Sequence, residues 1–171
     1  LSFQQPAHCI FFFFFLKTMN YYPLALHNEW RYKQKDGSTY LNKVTGANDN
    51  GFAMHNSAAN TSSGVKINGN QVTTDALEAG NFQQWLTNDL QKGDTWEIKF
   101  KANGLDCILI MTVKETGSSR EVEGKTYNNV LLIEAENKIM VNGNLMPLNF
   151  FTQYYYADGI GLIQTTSSAG D

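Results

Sequence analysis

The chain has 171 residues, of which 42% are hydrophobic and 17% are charged. A chain of this length can bury a sizeable core as one domain without disulfides or a metal. Its 13 Lys and Arg against 16 Asp and Glu give a net charge of −3. This charge argues against a dedicated nucleic-acid binder, because such proteins usually carry a basic surface.

The first 18 residues differ in composition from the rest of the chain. Six of the 11 Phe lie there, at Phe3 and at residues 11–15. No Lys or Arg precedes the apolar run at residues 10–16, which is short for a signal peptide and far short of a membrane span. We interpret residues 1–18 as a non-native leader, with a truncated signal peptide or a native edge segment as alternatives. Residues 19–171 are then a single β-rich domain, and a start at Met19 predicts a cytoplasmic protein.

Alternating polarity predicts β-strands from residue 28 onward. Trp30 and Tyr32 alternate with charged neighbours, which is the pattern of a half-buried strand. Asp36-Gly37 follows and predicts a hairpin turn. Further turns are predicted at residues 48–51 and 68–70, where Asn and Gly cluster.

Residues 81–91 have a different spacing. Phe82, Trp85, Leu86 and Leu90 fall at i, i+3, i+4 and i+8, which predicts one short helix with Gly93 near its end.

The second half of the chain predicts long strands. Residues 105–115 carry Leu109, Met111 and Val113 on one face and Ile108 and Ile110 on the other, so this strand needs cover on both faces. Turns are predicted at 103–104, 117–119, 142–143 and 158–159, and strands at 96–102, 130–141, 145–156 and 160–165. The fold class predicted is all-β, an antiparallel meander that forms a strongly curved sheet or half-open barrel.

Few residues have a spacing that indicates catalysis. His27, His55 and Cys107 lack neighbours at metal-ligand spacing, so we expect neither a metal nor a cofactor. Glu134 and Glu136 share one strand face, where a solvated surface with a cross-strand ion pair is expected rather than an acid/base pair. We therefore expect a protein that is not an enzyme.

Aromatic side chains give the best indication of a binding surface. Phe150, Tyr154 and Tyr156 fall on one face of a predicted strand, and such a face can line a pocket or contact a partner. The candidate ligand or partner surface comprises Trp85, Ile108, Ile110, Phe150, Tyr154 and Tyr156.

Four segments resemble the TapB-like proteins, which are small and β-rich, many of them predicted lipoproteins or secreted proteins from Bacteroidota. The segments are Tyr21-Tyr22-Pro23-Leu24 with the following Trp30 and Tyr32, Gly93-Asp94-Thr95-Trp96, residues 124–130, and residues 154–163. The resemblance implies a curved antiparallel sheet related to lipoprotein-carrier folds, with no catalytic residue to transfer. Asn28 stands where the family usually has Gly.

The same resemblance implies a location in the cell envelope or outside the cell. Such domains often have one more C-terminal strand, so the sequence is compatible with a fragment. The function expected is a non-enzymatic binding module that holds an apolar small molecule or a protein partner on the sheet, with no nucleic acid and no membrane span. The alternatives are a structural or interaction protein of the cell envelope with a packed core and no pocket, and, least favoured, a hydrolase.

Overall fold

The structure is a computed structural model that describes residues 17–169. The predicted leader therefore lies outside the described residues, apart from Lys17 and Thr18. All the regular secondary structure within residues 17–169 is β-strand, which confirms the all-β prediction. The strands are β1 (Glu29–Lys33), β2 (Thr39–Asn48), β3 (Gly51–Asn56), β4 (Thr61–Asn68), β5 (Gln71–Thr74), β6 (Gln83–Thr87), β7 (Thr95–Ala102), β8 (Leu105–Val122), β9 (Lys125–Val141), β10 (Asn144–Ala157) and β11 (Gly161–Ala169).

The strands form two antiparallel meanders. Strands β1 to β6 pair in chain order in the first sheet, which curves strongly into a half-barrel. Strands β7 to β11 pair in chain order in the second sheet. The predicted turns at 36–37, 48–51, 68–70, 103–104, 142–143 and 158–159 all lie between paired strands, so these predictions are confirmed.

The helix predicted at residues 81–91 is wrong, because this segment contains β6. Val72 of β5 pairs with Leu86 and Thr73 pairs with Gln84, so Trp85 is an extra residue in the ladder. A bulge of this kind interrupts the strand's side-chain alternation. Trp85 and Leu86 consequently both pack into the main core although they are adjacent in sequence. Two adjacent core residues are usual on one face of a helix, at i+3 and i+4, but not in a regular strand, and this explains the wrong prediction.

The turn predicted at residues 117–119 is also wrong. Strand β8 runs through this segment, and the turn falls at Glu123 and Gly124 instead. The pairing of β8 with β9 shifts register between Glu115 and Ser118, and Gly117 between them has φ of 68°. Gly117 therefore accommodates a bulge within a long strand, since glycine adopts positive φ at little cost.

The main core lies between the two sheets. The predicted apolar face of β8 is buried as expected, because Leu109, Met111 and Val113 are 5%, 0% and 1% exposed. The other buried members of this core are Tyr21, Val65, Val72, Leu86, Leu90, Ile98, Leu131, Ile133, Ala135 and Tyr156. Because both sheets contribute, the core fixes their relative position and hence the shape of the space between them.

Side chains bridge the junction between β6 and β7. Gln83 Oε1 accepts a hydrogen bond of 2.8 Å from the Lys99 N–H, and Gln83 Nε2 donates to the Lys99 carbonyl. The Gln83 amide thus supplies one donor and one acceptor, as a residue of a neighbouring strand would. Glu78 Oε2 accepts 2.9 Å bonds from Asn81 Nδ2 and from the Lys101 N–H, and both bonds lower the pKa of the Glu78 carboxyl.

The opposite edges, β1 and β11, also meet through side chains. Trp30 Nε1 donates to the Ile160 carbonyl at 2.7 Å, and the Tyr32 hydroxyl donates to the Leu162 carbonyl at 2.9 Å. The approach is close at Gly161, where a Cβ would lie 3.1 Å from Trp30 Nε1. The two sheets therefore enclose the space between them from both edges.

The segment before β1 ties the sheets together near their connecting turns. The Tyr21 N–H donates to Asn88 Oδ1 at 2.8 Å, and the Asn20 N–H donates to Asp158 Oδ1 at 2.8 Å. Desolvation tends to raise the pKa of the Asp158 carboxyl, but hydrogen bonds from Lys17 Nζ and the Asn20 N–H outweigh it and hold the pKa below its usual value. This anchoring places Tyr22 against Tyr156, with ring centroids 6.1 Å apart.

Candidate functional site

A cleft of about 450 Å³ opens between the two sheets. This volume lies within the range of about 300–1,000 Å³ that is usual for small-molecule sites. The lining residues are Tyr22, Asn42, Met54, Asn56, Ala59, Thr61, Ser62, Ser63, Thr74, Asp75, Ala76, Leu77, Ala79, Trp85, Tyr154, Tyr156 and Leu162.

The floor of the cleft is aromatic. Trp85 Nε1 donates to the Tyr156 hydroxyl oxygen at 2.6 Å. The Trp85 ring also meets the Tyr154 ring edge to face, with centroids 5.2 Å apart. Together with the Tyr22–Tyr156 contact, these interactions fix the rings and present their faces and edges to the cleft.

Neutral polar side chains line the wall formed by the first sheet. Asn42, Asn56 and Thr61 lie directly opposite one another on β2, β3 and β4. Asn56 Nδ2 donates to Asn42 Oδ1 at 2.8 Å. In the next row of the sheet, Met54 lies opposite Ser63. This wall therefore changes from apolar near the floor to polar at the rim.

One carboxylate, Asp75, reaches the cleft, and backbone donors hold it. Asp75 Oδ1 accepts a 2.6 Å bond from the Gly64 N–H, and Oδ2 accepts a 2.9 Å bond from the Gly80 N–H. These bonds pin the loop between β5 and β6 to β4. Asp75 consequently has a structural role at the rim of the cleft.

Burial raises the pKa of the tyrosine hydroxyls of the cleft further above neutrality. It raises the pKa of the Tyr22 hydroxyl to about 12 and raises the pKa of Tyr156 well above its usual value. The pKa of Tyr154 is also raised, again chiefly by burial. All three side chains are therefore neutral around physiological pH.

The structure brings together three of the six residues predicted from the aromatic pattern. Trp85, Tyr154 and Tyr156 line the cleft, whereas Ile108, Ile110 and Phe150 do not. Ile108 pairs with Lys99 and Lys138, and Ile110 pairs with Glu97 and Glu136. Ile108 and Ile110 thus lie among charged residues, on the face of β8 that points away from the main core.

Phe150 lies in an apolar, exposed part of β10. It is 43% exposed, and nearby Leu148 is 50% exposed. The pairing with β9 is interrupted between Pro147 and Phe151, and Asn137 Nδ2 donates to the Phe150 carbonyl at 3.2 Å. Phe150 nevertheless pairs with Ala169 of β11 in the same unbroken register as Tyr154, so it lies outside the cleft because it is four residues further along β10.

The side chains with catalytic potential each contact a different neighbour and do not converge on one site. Glu134 Oε1 lies 3.3 Å from Lys114 Nζ on β8, which confirms the predicted cross-strand ion pair, and Glu136 Oε1 lies 3.4 Å from Lys138 Nζ; both carboxylates are half-buried rather than fully solvated. His55 Nδ1 lies 3.2 Å from Ser62 Oγ, and Cys107 Sγ lies 3.7 Å from the Leu105 carbonyl oxygen. Within residues 17–169, no group of three or more His, Cys, Asp or Glu is placed to hold a metal ion.

Sequence reasoning missed most of the polar wall and part of the floor. Asn42, Asn56, Thr61, Met54 and Tyr22 were not identified as candidates, although all five line the cleft. The sequence did contain one indication of this wall. Met54 and Asn56 are two residues apart in β3, so their side chains lie on the same face of the strand.

In the part of the chain that the structure describes, no helix has the length and apolar character needed to cross a bilayer. Comparison with protein-family models, curated proteins and solved structures finds no match to this chain.

Proposed function

We propose that the protein is a binding module that holds a small, largely apolar molecule in the cleft between its two sheets. The observation that carries this proposal is the rigid aromatic floor formed by Trp85, Tyr154 and Tyr156 at the bottom of a cleft of about 450 Å³. An apolar concavity with a few convergent polar groups is the usual form of a small-molecule site. The cleft favours this function over a structural protein with a packed interior.

Binding without catalysis is part of the proposal. His55, Cys107 and the pair Glu134/Glu136 each interact with different neighbours, and none of them lines the cleft. Acid/base or nucleophilic catalysis requires such groups within hydrogen-bond reach of one another or of a bound substrate. The resemblance to TapB-like proteins remains a prediction and does not carry the proposal.

Titration with Nile red, an uncharged apolar dye that brightens on leaving water, tests this function. We expect saturable binding to the wild-type chain and a loss of about tenfold or more in affinity for Ser63→Trp. Ser63 lies opposite Met54 on the cleft wall, so an indole there fills the space above the floor. Tenfold corresponds to about 1.4 kcal/mol, which is modest for the loss of a buried apolar contact.

The matched control is Ser168→Trp, because Ser168 is exposed on β11 and pairs with Phe151 outside the cleft. This variant should bind the dye as the wild type does. Circular dichroism establishes that both variants keep the β-sheet spectrum. Equal dye affinity in folded Ser63→Trp and wild type would place the binding elsewhere and refute the proposal.

A further inference from the structure

The electrostatic character of the cleft limits the chemistry of its ligand. Among the 17 lining residues, all within the described part of the chain, none is Lys, Arg or His, and Asp75 is the one acid. Ligand carboxylates and phosphates are ordinarily held by Arg, Lys or clustered backbone N–H groups. The lining supplies no cationic side chain for that task.

Asp75 is a poor partner for a cationic ligand. Each of its carboxylate oxygens already accepts a hydrogen bond from a backbone N–H, at Gly64 and at Gly80. These bonds stabilise part of the carboxylate's charge and hold its orientation toward the backbone. The carboxylate is thus stabilised by the fold without a ligand, and a cation gains less from it than from an unbonded carboxylate.

His55 and Lys43 on the wall strands do not line the cleft, although His55 Nδ1 lies 3.2 Å from Oγ of the lining residue Ser62. His55 and Lys43 lie directly opposite each other on β3 and β2, one residue out of step with the lining residues Asn42, Met54 and Asn56. Side chains alternate between the faces of a strand, so His55 and Lys43 belong to the outer face. Neither residue is among those that line the cleft.

The lining does offer neutral hydrogen-bonding groups. Asn42 Oδ1 accepts the bond from Asn56 Nδ2, which leaves the Asn42 NH₂ group for a ligand. Thr61 continues the same row at the exposed rim. These amide and hydroxyl groups pair with an uncharged hydroxyl, carbonyl or amide without burying a net charge.

We infer that the cleft selects an uncharged amphiphile, with its apolar body on the aromatic floor and a hydroxyl, carbonyl or amide group against Asn42. Fatty carboxylates, phosphate esters and alkylammonium ions are disfavoured as ligands. An anion brought into the cleft loses hydration and meets no cationic side chain in the lining, whereas a cation meets only Asp75, whose two oxygens already accept backbone bonds. This selectivity rests on the proposed function and names the class of ligand for the same site.

Three ten-carbon probes that differ only in the head group test this selectivity: decanol, decanoate and decylammonium. Each competes with Nile red for the wild-type chain at equal ionic strength and near neutral pH, with decanol below its solubility limit and the two ions below their critical micelle concentrations. We expect decanol to bind at least about tenfold more tightly than either ion, a difference of about 1.4 kcal/mol.

A variant at the rim of the cleft tests whether the lack of a cationic side chain causes the weak binding of decanoate. Thr61→Lys places an ammonium group at the polar end of the row, and we expect it to raise decanoate affinity about threefold to tenfold, as for a partly screened ion pair. Decanol affinity should stay nearly constant. Thr95→Lys adds the same charge at an exposed position of β7 outside the cleft and should change neither affinity.

The results of these titrations distinguish a failure of the inferred selectivity from a failure of the proposed function. Decanoate or decylammonium binding as tightly as decanol, with displacement of the dye in each case, would overturn the inferred selectivity and leave the proposed function standing. An equal gain in decanoate affinity from Thr61→Lys and Thr95→Lys would show that the ligand's head group does not lie near Thr61. It would overturn the placement of that head group against the row of Asn42, Asn56 and Thr61. Failure of all three probes and of Nile red to bind the folded chain would overturn the proposed function itself.

Discussion

Replacing Leu86 by Ala should lower the free energy of unfolding by about 2–5 kcal/mol, the usual cost of truncating a fully buried leucine. Leu86 is 0% exposed and lies opposite Val72 in the main core. The loss combines the transfer free energy of the deleted atoms with the cavity left between two sheets that cannot close onto it. Urea unfolding followed by circular dichroism measures the change.

The matched control for this variant is Leu148→Ala. Leu148 is 50% exposed on the bulge of β10, and its truncation should change stability by no more than about 0.5 kcal/mol. A loss at Leu86 no greater than the loss at Leu148 would contradict the placement of β6 against the core. It would also reopen the question of how residues 81–91 fold.

The second large effect is expected at Gly51, which begins β3. Its φ is 129°, and a Cβ added there would lie 2.4 Å from the Val65 carbonyl oxygen. Gly51→Ala should therefore lower the free energy of unfolding by about 2–4 kcal/mol, through both unfavourable φ and backbone overlap. Because the clashing atom belongs to the backbone of β4, relief requires the first sheet to shift.

Gly143→Ala separates these two causes. Gly143 also has positive φ, 79°, but a Cβ there would meet nothing within 4 Å. This substitution should cost only about 1 kcal/mol, the conformational part of the effect. Equal losses at the two glycines in urea unfolding would refute the close approach of β3 and β4.

Much of the topology follows from local signals in the sequence. Asp36-Gly37, Asn103-Gly104 and Asn142-Gly143 each provide the positive φ that a tight hairpin needs, and each joins two paired strands. In a meander, neighbouring strands are also consecutive in the chain. Correct turns therefore nearly determine the strand order within each sheet.

Both secondary-structure errors came from bulges. The extra residue at Trp85 made a strand resemble a helix, and the bulge at Gly117 made a strand interior resemble a turn. A bulge depends on the register between two strands, so the residues of one strand do not specify it. Phe150 was a different error, because it has the same parity as Tyr154 but lies four residues further along β10, outside the cleft.

The candidate site was predictable only in part. The aromatic side chains of Trp85, Tyr154 and Tyr156 were detectable because aromatic residues concentrate in cores and binding surfaces. The polar row of Asn42, Asn56 and Thr61 was not, because neutral polar residues on a strand usually indicate a solvated face. It becomes a cleft wall only because the first sheet curves and faces the second.

Contact between Trp85 and an uncharged amphiphile is the property that best distinguishes binding in the cleft from binding elsewhere. A chain that keeps Trp85 alone, through Trp30→Phe and Trp96→Phe, is titrated with 10-bromodecanol, whose bromine quenches indole emission on contact. A chain that keeps Trp85 and Trp96 together, through Trp30→Phe, is the control, because it retains the floor of the cleft and adds emission from Trp96, whose Nε1 donates to the Gln84 carbonyl at 3.2 Å and which does not line the cleft. We predict saturable quenching in the chain that keeps Trp85 alone and a smaller quenched fraction in the chain where Trp96 also emits. Unchanged Trp85 emission, or an equal quenched fraction in both chains, would contradict the assignment of the cleft as the binding site.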